Sequence, residues 1–324
     1  MRVFSGIQPT GELHIGNYLG MLKQSVELQE KAECIFSIVD LHAITIPYQP
    51  ENFQERIIET AITYLAVGFN PEKSIIYVQS RVKAHTELCW LLSTVCPIGD
   101  LMRMTQYKEK ARQFKKNINA GLLNYPILMA ADILLYQTDL VPVGKDQKQH
   151  VELARTIARK FNQKFGKTFK EPKVQIPKIG AKIMALNNPK KKMSKSLGPQ
   201  SYISLFDEPE VIKKKVMAAV TDLGRIVKYA DSKPGISNLL TIYSLFSDKS
   251  IKEIEKKFNK KGYADFKKSL AELLIRHLEP FRRKRKELLL REVYIKEILQ
   301  KGAERAEILA QSTLEETKKK MGLI

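Results

Sequence analysis

RVFSGIQPTGELHIGNYLGMLKQSVELQEKAECIFSIV, residues 2–39, passes through two hydrophobic periods in one short span. Residues 2–7 read as a strand, and Gln8-Pro9-Thr10-Gly11 is turn chemistry. From about residue 15 to residue 32, Tyr18, Leu19, Leu22 and Val26 recur at helical spacing. Residues 34–39, CIFSIV, form a continuous apolar run, the pattern of a strand buried on both faces of a parallel sheet. Strand, helix and strand in this order predict a βαβ unit. The pattern repeats outward, with a helix over 51–67, a strand over 74–78 (SIIYV) and a helix over 86–94. A short strand over 140–143 (LVPV) then precedes a long helix over 147–165. Such alternation predicts an α/β domain with a parallel sheet, which binds ligands at the carboxyl ends of its strands.

Past about residue 200 the strands vanish. Helices are expected over 208–220, 237–247, 250–258, 263–278, 281–300 and 303–321. The expected division is a sheet domain over 1–189, a helical domain over 190–290 and C-terminal helices over 291–324 that pack back on the first domain. With 324 residues, two domains are the natural reading. A hydrophobic fraction of 44% and a charged fraction of 28% exclude a disordered or collagen-like chain. Three cysteines (Cys34, Cys89 and Cys96) do not make a disulfide framework or a zinc ribbon. No apolar run reaches the ~18 residues of a membrane span, and the first residues lack the h-region of a signal peptide. The expected compartment is a reducing cytoplasm, with no membrane partner.

The net charge is +20, which attracts polyanions. It is concentrated: residues 158–195 hold 12 Lys/Arg and one acid, Glu171. Residues 250–324 hold 20 Lys/Arg against 12 acids, a salt-bridge-laced helical surface with a basic excess. Two short segments stand out. In Glu12-Leu13-His14-Ile15-Gly16-Asn17, a turn opens a helix, Gly16 permits close approach to the backbone, and His14 and Asn17 lie three apart. In Lys190-Lys191-Lys192-Met193-Ser194-Lys195-Ser196-Leu197-Gly198, lysines on a Ser/Gly-flanked loop are point charges suited to phosphate oxygens. Between them, Tyr125, Met129, Asp132 and Ile133 share one helical face, with Pro126 expected in the first turn. A carboxylate on such an apolar face is either paired with an Arg or Lys or accepts an N–H from a ligand. No P-loop, GxGxxG, GxSxG or HExxH pattern is present, since residue 161 is Phe where a P-loop needs Gly.

HIGN at 14–17 and KMSKS at 192–196 together resemble the two signatures of class I aminoacyl-tRNA synthetases, with Asn17 in place of a second histidine. The stretches FSGIQP (4–9), GDLMRMTQ (99–106), NYPILMAADILLY (124–136), VPVGKDQKQH (141–150) and KPGISNLL (233–240) resemble the bacterial-type tryptophanyl-tRNA synthetases. The resemblance runs from residue 3 to the C-terminus. It implies a Rossmann-type catalytic domain followed by an all-helical domain, with no metal held by the protein. It also implies ATP with Mg2+, L-tryptophan and tRNA(Trp) as reactants, and a homodimer. The implied reaction makes tryptophanyl-adenylate and pyrophosphate, then transfers tryptophan to the 3′ end of the tRNA.

The resemblance also implies residue roles. Asp132 would receive the indole N–H, while Tyr125 and Gln147 hold the ammonium group. Phe4, Gly6, Val39, His42, Met129, Ile133, Val141 and Val143 would line the pocket. Gln8, Pro9 and Thr10, with Gly16 and Asn17, would meet ATP phosphates and nearby nucleoside atoms, and His14, Asn17, Lys110, Lys192 and Lys195 would be the catalytic set. Gly144, Lys145 and Asp146 would lie by the ribose; the family commonly has Glu at the position of Lys145, so that contact would run through the backbone. Ile183 and Met193 would flank adenine. Lys110, Lys192 and Lys195, with Ser194 and Ser196, would grip the phosphates that leave. A tyrosyl-tRNA synthetase, or a catalytically inactive tRNA-binding relative, are the alternative readings.

Overall fold

The computed structural model describes residues 1–115, 118–176 and 183–324, and at Lys145 the backbone alone. The chain divides into two compact units. One comprises Met1–Gly11, Ser25–Ile176 and Arg291–Ile324; the other comprises Glu12–Gln24 and Pro177–Leu290.

The first unit is built on a five-stranded sheet of β1 (Arg2–Ile7), β2 (Glu33–Ile38), β3 (Ser74–Val78), β4 (Leu140–Pro142) and β5 (Lys173–Gln175). Their order is β3-β2-β1-β4-β5 and every neighbouring pair is parallel. Residues Cys34 to Ile38 of β2 are all buried, which is why that strand reads as an unbroken apolar run. Strand order reverses between β1 and β4, so the carboxyl ends of these two strands flank the crevice where such sheets bind ligands. Gln8-Pro9-Thr10 follows β1, and Val143-Gly144 follows β4. β5 was not expected. It is a three-residue edge strand inside the lysine-rich stretch, with an exposed Lys173 that blunts the edge.

One core cluster joins Phe4, Ile35 and Ile75 of the sheet to Leu88, Ile133, Ile157 and Ala306 of four helices. These are Ala84–Ser93, Ala120–Leu134, Lys148–Phe165 and Glu292–Lys320. Pro126 lies inside its helix rather than in the first turn. The helix begins earlier because Asn119 caps it, its Oδ1 accepting the Leu122 N–H at 2.9 Å. Two short helices, Ile98–Met102 and Thr105–Gln113, fall where no regular element was expected.

The C-terminal segment departs from its expected breaks at both places. Glu292–Lys320 is a single helix, although separate helices are expected over 281–300 and 303–321. Gly302 is there because the helix presses on the backbone of edge strand β3. A Cβ at this position would stand 1.9 Å from the Ile76 carbonyl oxygen. Nearby, Arg305 Nη1 donates to Pro71 O at 3.1 Å and to Ser74 O at 3.4 Å. The helix thereby covers an edge that would otherwise offer unpaired backbone groups. Gly302→Ala should lower the stability of this unit by about 1–3 kcal/mol, since the obstacle is backbone rather than a flexible side chain. Urea unfolding checks this, and an unchanged midpoint would show that the helix can shift freely.

The second unit holds the helices Pro209–Ala218, Pro234–Ser247, Ile251–Lys257 and Tyr263–Leu289. The last runs through Pro280, where a break was expected. Proline removes one helical hydrogen bond and crowds the preceding turn. The buried Arg282 spans that turn, donating to Ile275 O at 3.0 Å, to Glu279 Oε2 at 2.6 Å and to Asp207 O at 3.3 Å. Tyr18 stacks on Phe246 and meets Phe281 edge-on, fastening the segment after His14 to this unit. Among the described residues, no helix is long and apolar enough to cross a membrane.

Candidate active site

The two sequence signatures lie in the second unit. His14 precedes the helical turn Ile15–Asn17 and caps it reciprocally. Its Nδ1 accepts the backbone N–H of Gly16 at 3.1 Å and of Asn17 at 3.3 Å, while Asn17 Oδ1 accepts the His14 N–H at 3.1 Å. That exchange gives Asn17 a reason to stand where a histidine is usual. Burial, then the charges of Lys195 and Lys192, lower the His14 pKa to about 4. The ring is therefore neutral at pH 7. With Nδ1 occupied as an acceptor, its proton sits on Nε2, which is left to donate. Gly16 has no room for more: a Cβ would stand 3.0 Å from the His14 ring and 3.6 Å from Met193 Sδ.

The segment Leu13–Ile15 pairs with Ile203–Leu205 through Ile15 N–H to Ile203 O and Leu205 N–H to Leu13 O, both at 3.0 Å. The lysine loop is tied down on each side. Buried Met193 donates its N–H to Ile183 O at 2.9 Å, and Ser201 Oγ donates to Ser194 O and Gly198 O at 2.7 and 2.6 Å. Ser194 Oγ accepts the Ser196 N–H at 3.3 Å within the turn Lys195–Leu197. A neutral N–H donor thus lies within the electrostatic reach of two lysine charges, a combination suited to polyphosphate oxygens.

The apolar candidates lie in the first unit, around Asp132. This carboxylate is 1% exposed. Its Oδ1 accepts from Gln79 Nε2 and His85 Nδ1, each at 2.6 Å, and its Oδ2 accepts from His42 Nε2 at 2.7 Å. The partners are two imidazoles and an amide, not the Arg or Lys that usually explains a buried acid. Burial pushes the carboxyl up, but His42, then His85, hold it below the usual carboxylate range. It is an acceptor only, and Oδ2 keeps a lone pair for one more donor. Phe4, Ile133, Val141 and Val143 belong to one buried core cluster, Val39 is buried as well, and Phe4 stacks on Tyr136 at 5.7 Å. Met129 packs on the same core. Gly6 stands so close to Val39 that a Cβ would meet Val39 Cγ1 at 2.8 Å.

Tyr125 lies beside His42, its ring edge-on with centroids 6.1 Å apart. Its hydroxyl donates to Gln106 Oε1 at 3.4 Å and lies 3.0 Å from His150 Nε2, which therefore carries the proton of that ring. Burial, then His42 and Lys110, lower the His150 pKa to about 4, so it too is neutral. Lys110 packs 4.6 Å over the face of Tyr125. Gln147 turns toward Asp146: its Nε2 and that of Gln106 donate to Asp146 Oδ2 at 3.1 and 3.2 Å. Tyr125 and Gln147 are thus joined through Gln106 and Asp146 rather than directly. Gly144 O accepts the Gln147 N–H at 3.0 Å, and Pro9 is buried beside the turn that joins Thr10 N–H to Gln8 O at 2.8 Å. Of Lys145 only the backbone is described.

Four polar residues in these networks escaped sequence reading: Gln79, His85, Gln106 and His150. Gln106 and His150 fall inside the quoted stretches 99–106 and 141–150, which was the available signal. Gln79 and His85 lie beyond the carboxyl end of β3, a place that sheet topology favours but that no local motif marks. Among the described residues, no cluster of three His, Cys, Asp or Glu is placed to hold a metal ion.

A family model described as tRNA synthetases class I (W and Y) matches residues 1–279. A tryptophan–tRNA ligase of Caldanaerobacter subterraneus subsp. tengcongensis is 50% identical over 325 residues, which cover 100% of this chain and 98% of that protein. The crystal structure of tryptophanyl-tRNA synthetase from Mycoplasma pneumoniae superposes with a TM-score of 0.91 at 36% identity, covering 100% of this chain and 98% of that one. The Campylobacter jejuni enzyme complexed with ADP and tryptophan gives a TM-score of 0.84 at 40% identity, with full coverage of both chains.

Proposed function

The chain belongs to the class I tRNA synthetases of the tryptophan and tyrosine type, and on that premise we infer that it is a tryptophan–tRNA ligase. The observation that carries the substrate is Asp132, an ionised, acceptor-only carboxylate in an apolar pocket. An indole N–H satisfies it, whereas phenylalanine brings no donor.

In the first step an oxygen of the tryptophan carboxylate attacks the α-phosphorus of ATP in line. The bond from that phosphorus to the bridging oxygen breaks, pyrophosphate leaves, and tryptophanyl-adenylate remains. In the second step the 2′-hydroxyl of the terminal tRNA ribose attacks the acyl carbon. AMP leaves with the electron pair of the mixed anhydride, and the hydroxyl proton passes to solvent. No covalent nucleophile is required of the protein, whose work is positioning and charge stabilisation. Asp132 orients the indole, and Tyr125, with Gln147, holds the ammonium group. His14 Nε2–H, Lys192 and Lys195 take the phosphate oxygens, and Lys110 assists at the leaving pyrophosphate. Backbone atoms around Gly144 and Lys145, with Asp146, bind the ribose, and Ile183 and Met193 bracket the adenine. Mg2+ arrives as the counter-ion of the ATP phosphates.

The helical residues 190–290 read the tRNA anticodon, and the basic surface holds its backbone, so affinity should fall with salt. The reaction belongs in the cytoplasm, where tRNA is charged. A second copy of the chain is the proposed partner, with Trp90, Ile98 and Met102, which are 72, 65 and 54% exposed, as the candidate contacts. Sedimentation measures that association, and a monomer at micromolar concentration would remove it.

ATP–pyrophosphate exchange with each of the twenty amino acids tests the activity directly. Exchange with tryptophan alone is the expected result. Exchange with tyrosine instead would make Asp132 a phenol acceptor. Tight tRNA binding without any exchange would mark an inactive relative.

A further inference from the structure

Behind Asp132 lies a buried network that the reaction as described does not use. His85 is 0% exposed and sits between two phenols. Its Nδ1 is 2.6 Å from Asp132 Oδ1, and its Nε2 is 2.9 Å from both Tyr77 Oη and Tyr136 Oη. Tyr136 Oη donates to Tyr77 Oη at 2.8 Å. The His85 ring stacks on Tyr77 at 5.8 Å and 23° and tilts against Tyr136 at 5.6 Å. One arrangement gives every hydrogen an acceptor. Tyr136 O–H points to Tyr77, Tyr77 O–H to His85 Nε2, and His85 Nδ1–H to Asp132. Burial raises the pKa of both phenols, so they keep their protons.

We propose that His85, held by Tyr77 and Tyr136, is a positioning residue that fixes Asp132 where an indole N–H can reach it and a phenolic hydroxyl cannot. The proposal deepens the functional reading and rests on it. A carboxylate accepts from any donor, so donor chemistry separates tryptophan from phenylalanine but not from tyrosine. That second distinction requires the acceptor to stay in place. The geometry supplies the restraint: Oδ1 is held by two donors, and the one from His85 is anchored on Tyr77 of β3 and on Tyr136, in the turn after helix Ala120–Leu134. Tyr136 also stacks on Phe4, so the anchor continues into the pocket wall.

The test is exchange kinetics on His85→Ala, His85→Asn and Tyr77→Phe, each shown by thermal melting to be folded. His85→Ala should raise the KM for tryptophan about tenfold or more, with kcat and the KM for ATP moving by no more than about twofold. The preference for tryptophan over tyrosine should narrow by a similar factor. His85→Asn should recover much of both, because the asparagine amide nitrogen falls where Nδ1 does. Tyr77→Phe removes only the anchor and should lie between parent and His85→Ala. A folded His85→Ala with unchanged KM and unchanged preference would overturn the proposal. So would an equal fall in every parameter with no recovery in His85→Asn, which is the signature of a merely structural role. A parent chain that exchanges with tyrosine, or with nothing, would instead overturn the functional reading underneath.

Discussion

Asp132→Ala should remove most of the discrimination between tryptophan and phenylalanine. Sites built to hydrogen-bond one group on a substrate reject an analogue lacking it by ~10⁴–10⁵, because a buried polar atom is otherwise stranded. A pocket that recognises only size and apolar surface gives roughly 10–200-fold. The substitution converts the first kind of pocket into the second. The ratio of kcat/KM values should therefore fall by about two orders of magnitude or more. Steady-state exchange with both amino acids reads this directly, and an unchanged ratio would end the role given to Asp132. One complication is built into the structure. Gln79, His42 and His85 all donate to this carboxylate, and its loss leaves three buried donors without their acceptor. Each such group destabilises by ~1–3 kcal/mol. Asp132→Asn is the companion variant. It keeps one acceptor oxygen and the volume, but it offers a donor where the indole needs an acceptor. A folded asparagine variant that still prefers tryptophan would be as damaging to the assignment as the alanine result.

The two groups of candidate residues were legible in the sequence to different degrees. The signatures at 14–17 and 192–196 are local, and local spacing predicts local geometry. His14 and Asn17 do cooperate, although by exchanging hydrogen bonds with each other's backbone rather than by sharing a helical face. The face carrying Tyr125, Met129, Asp132 and Ile133 was readable from its period, and a misplaced Pro126 left it intact. What surrounds Asp132 was not readable. His42, Gln79 and His85 converge from three separate segments of the chain, and no sequence period connects them. Similar physics explains the errors in the fold. Gly302 and Pro280 carry the letters of helix ends, yet Gly302 answers to the Ile76 carbonyl and Pro280 is accommodated by Arg282. Tertiary contact overrode local preference at both. β5 is too short and too charged to announce itself without β4 beside it.

Lys195→Ala should depress the activation step while sparing tryptophan binding. Lys195 lies in the tethered loop of the second unit, near enough to His14 for its charge to lower the histidine's proton affinity. On the functional reading above, tryptophan is held by Asp132, Tyr125 and Gln147, and the lysine serves the phosphates alone. Charge builds on the phosphate oxygens as pyrophosphate departs, and a cation placed there is worth more in the transition state than in the ground state. Removing one such stabiliser lowers kcat by about 10²–10³. The KM for tryptophan should move by less than about threefold, because an interaction made only in the transition state changes kcat without changing substrate affinity. A second readout follows from the electrostatics. Without the Lys195 charge, one of the influences that depress His14 is gone, and its pKa should rise, which titration of the ring by NMR can follow. An equal loss of tryptophan affinity and kcat would mean that the loop supports the whole site. A fall in kcat of less than about tenfold would leave the leaving phosphates to other cations, with Lys192 and Lys110 the first to examine.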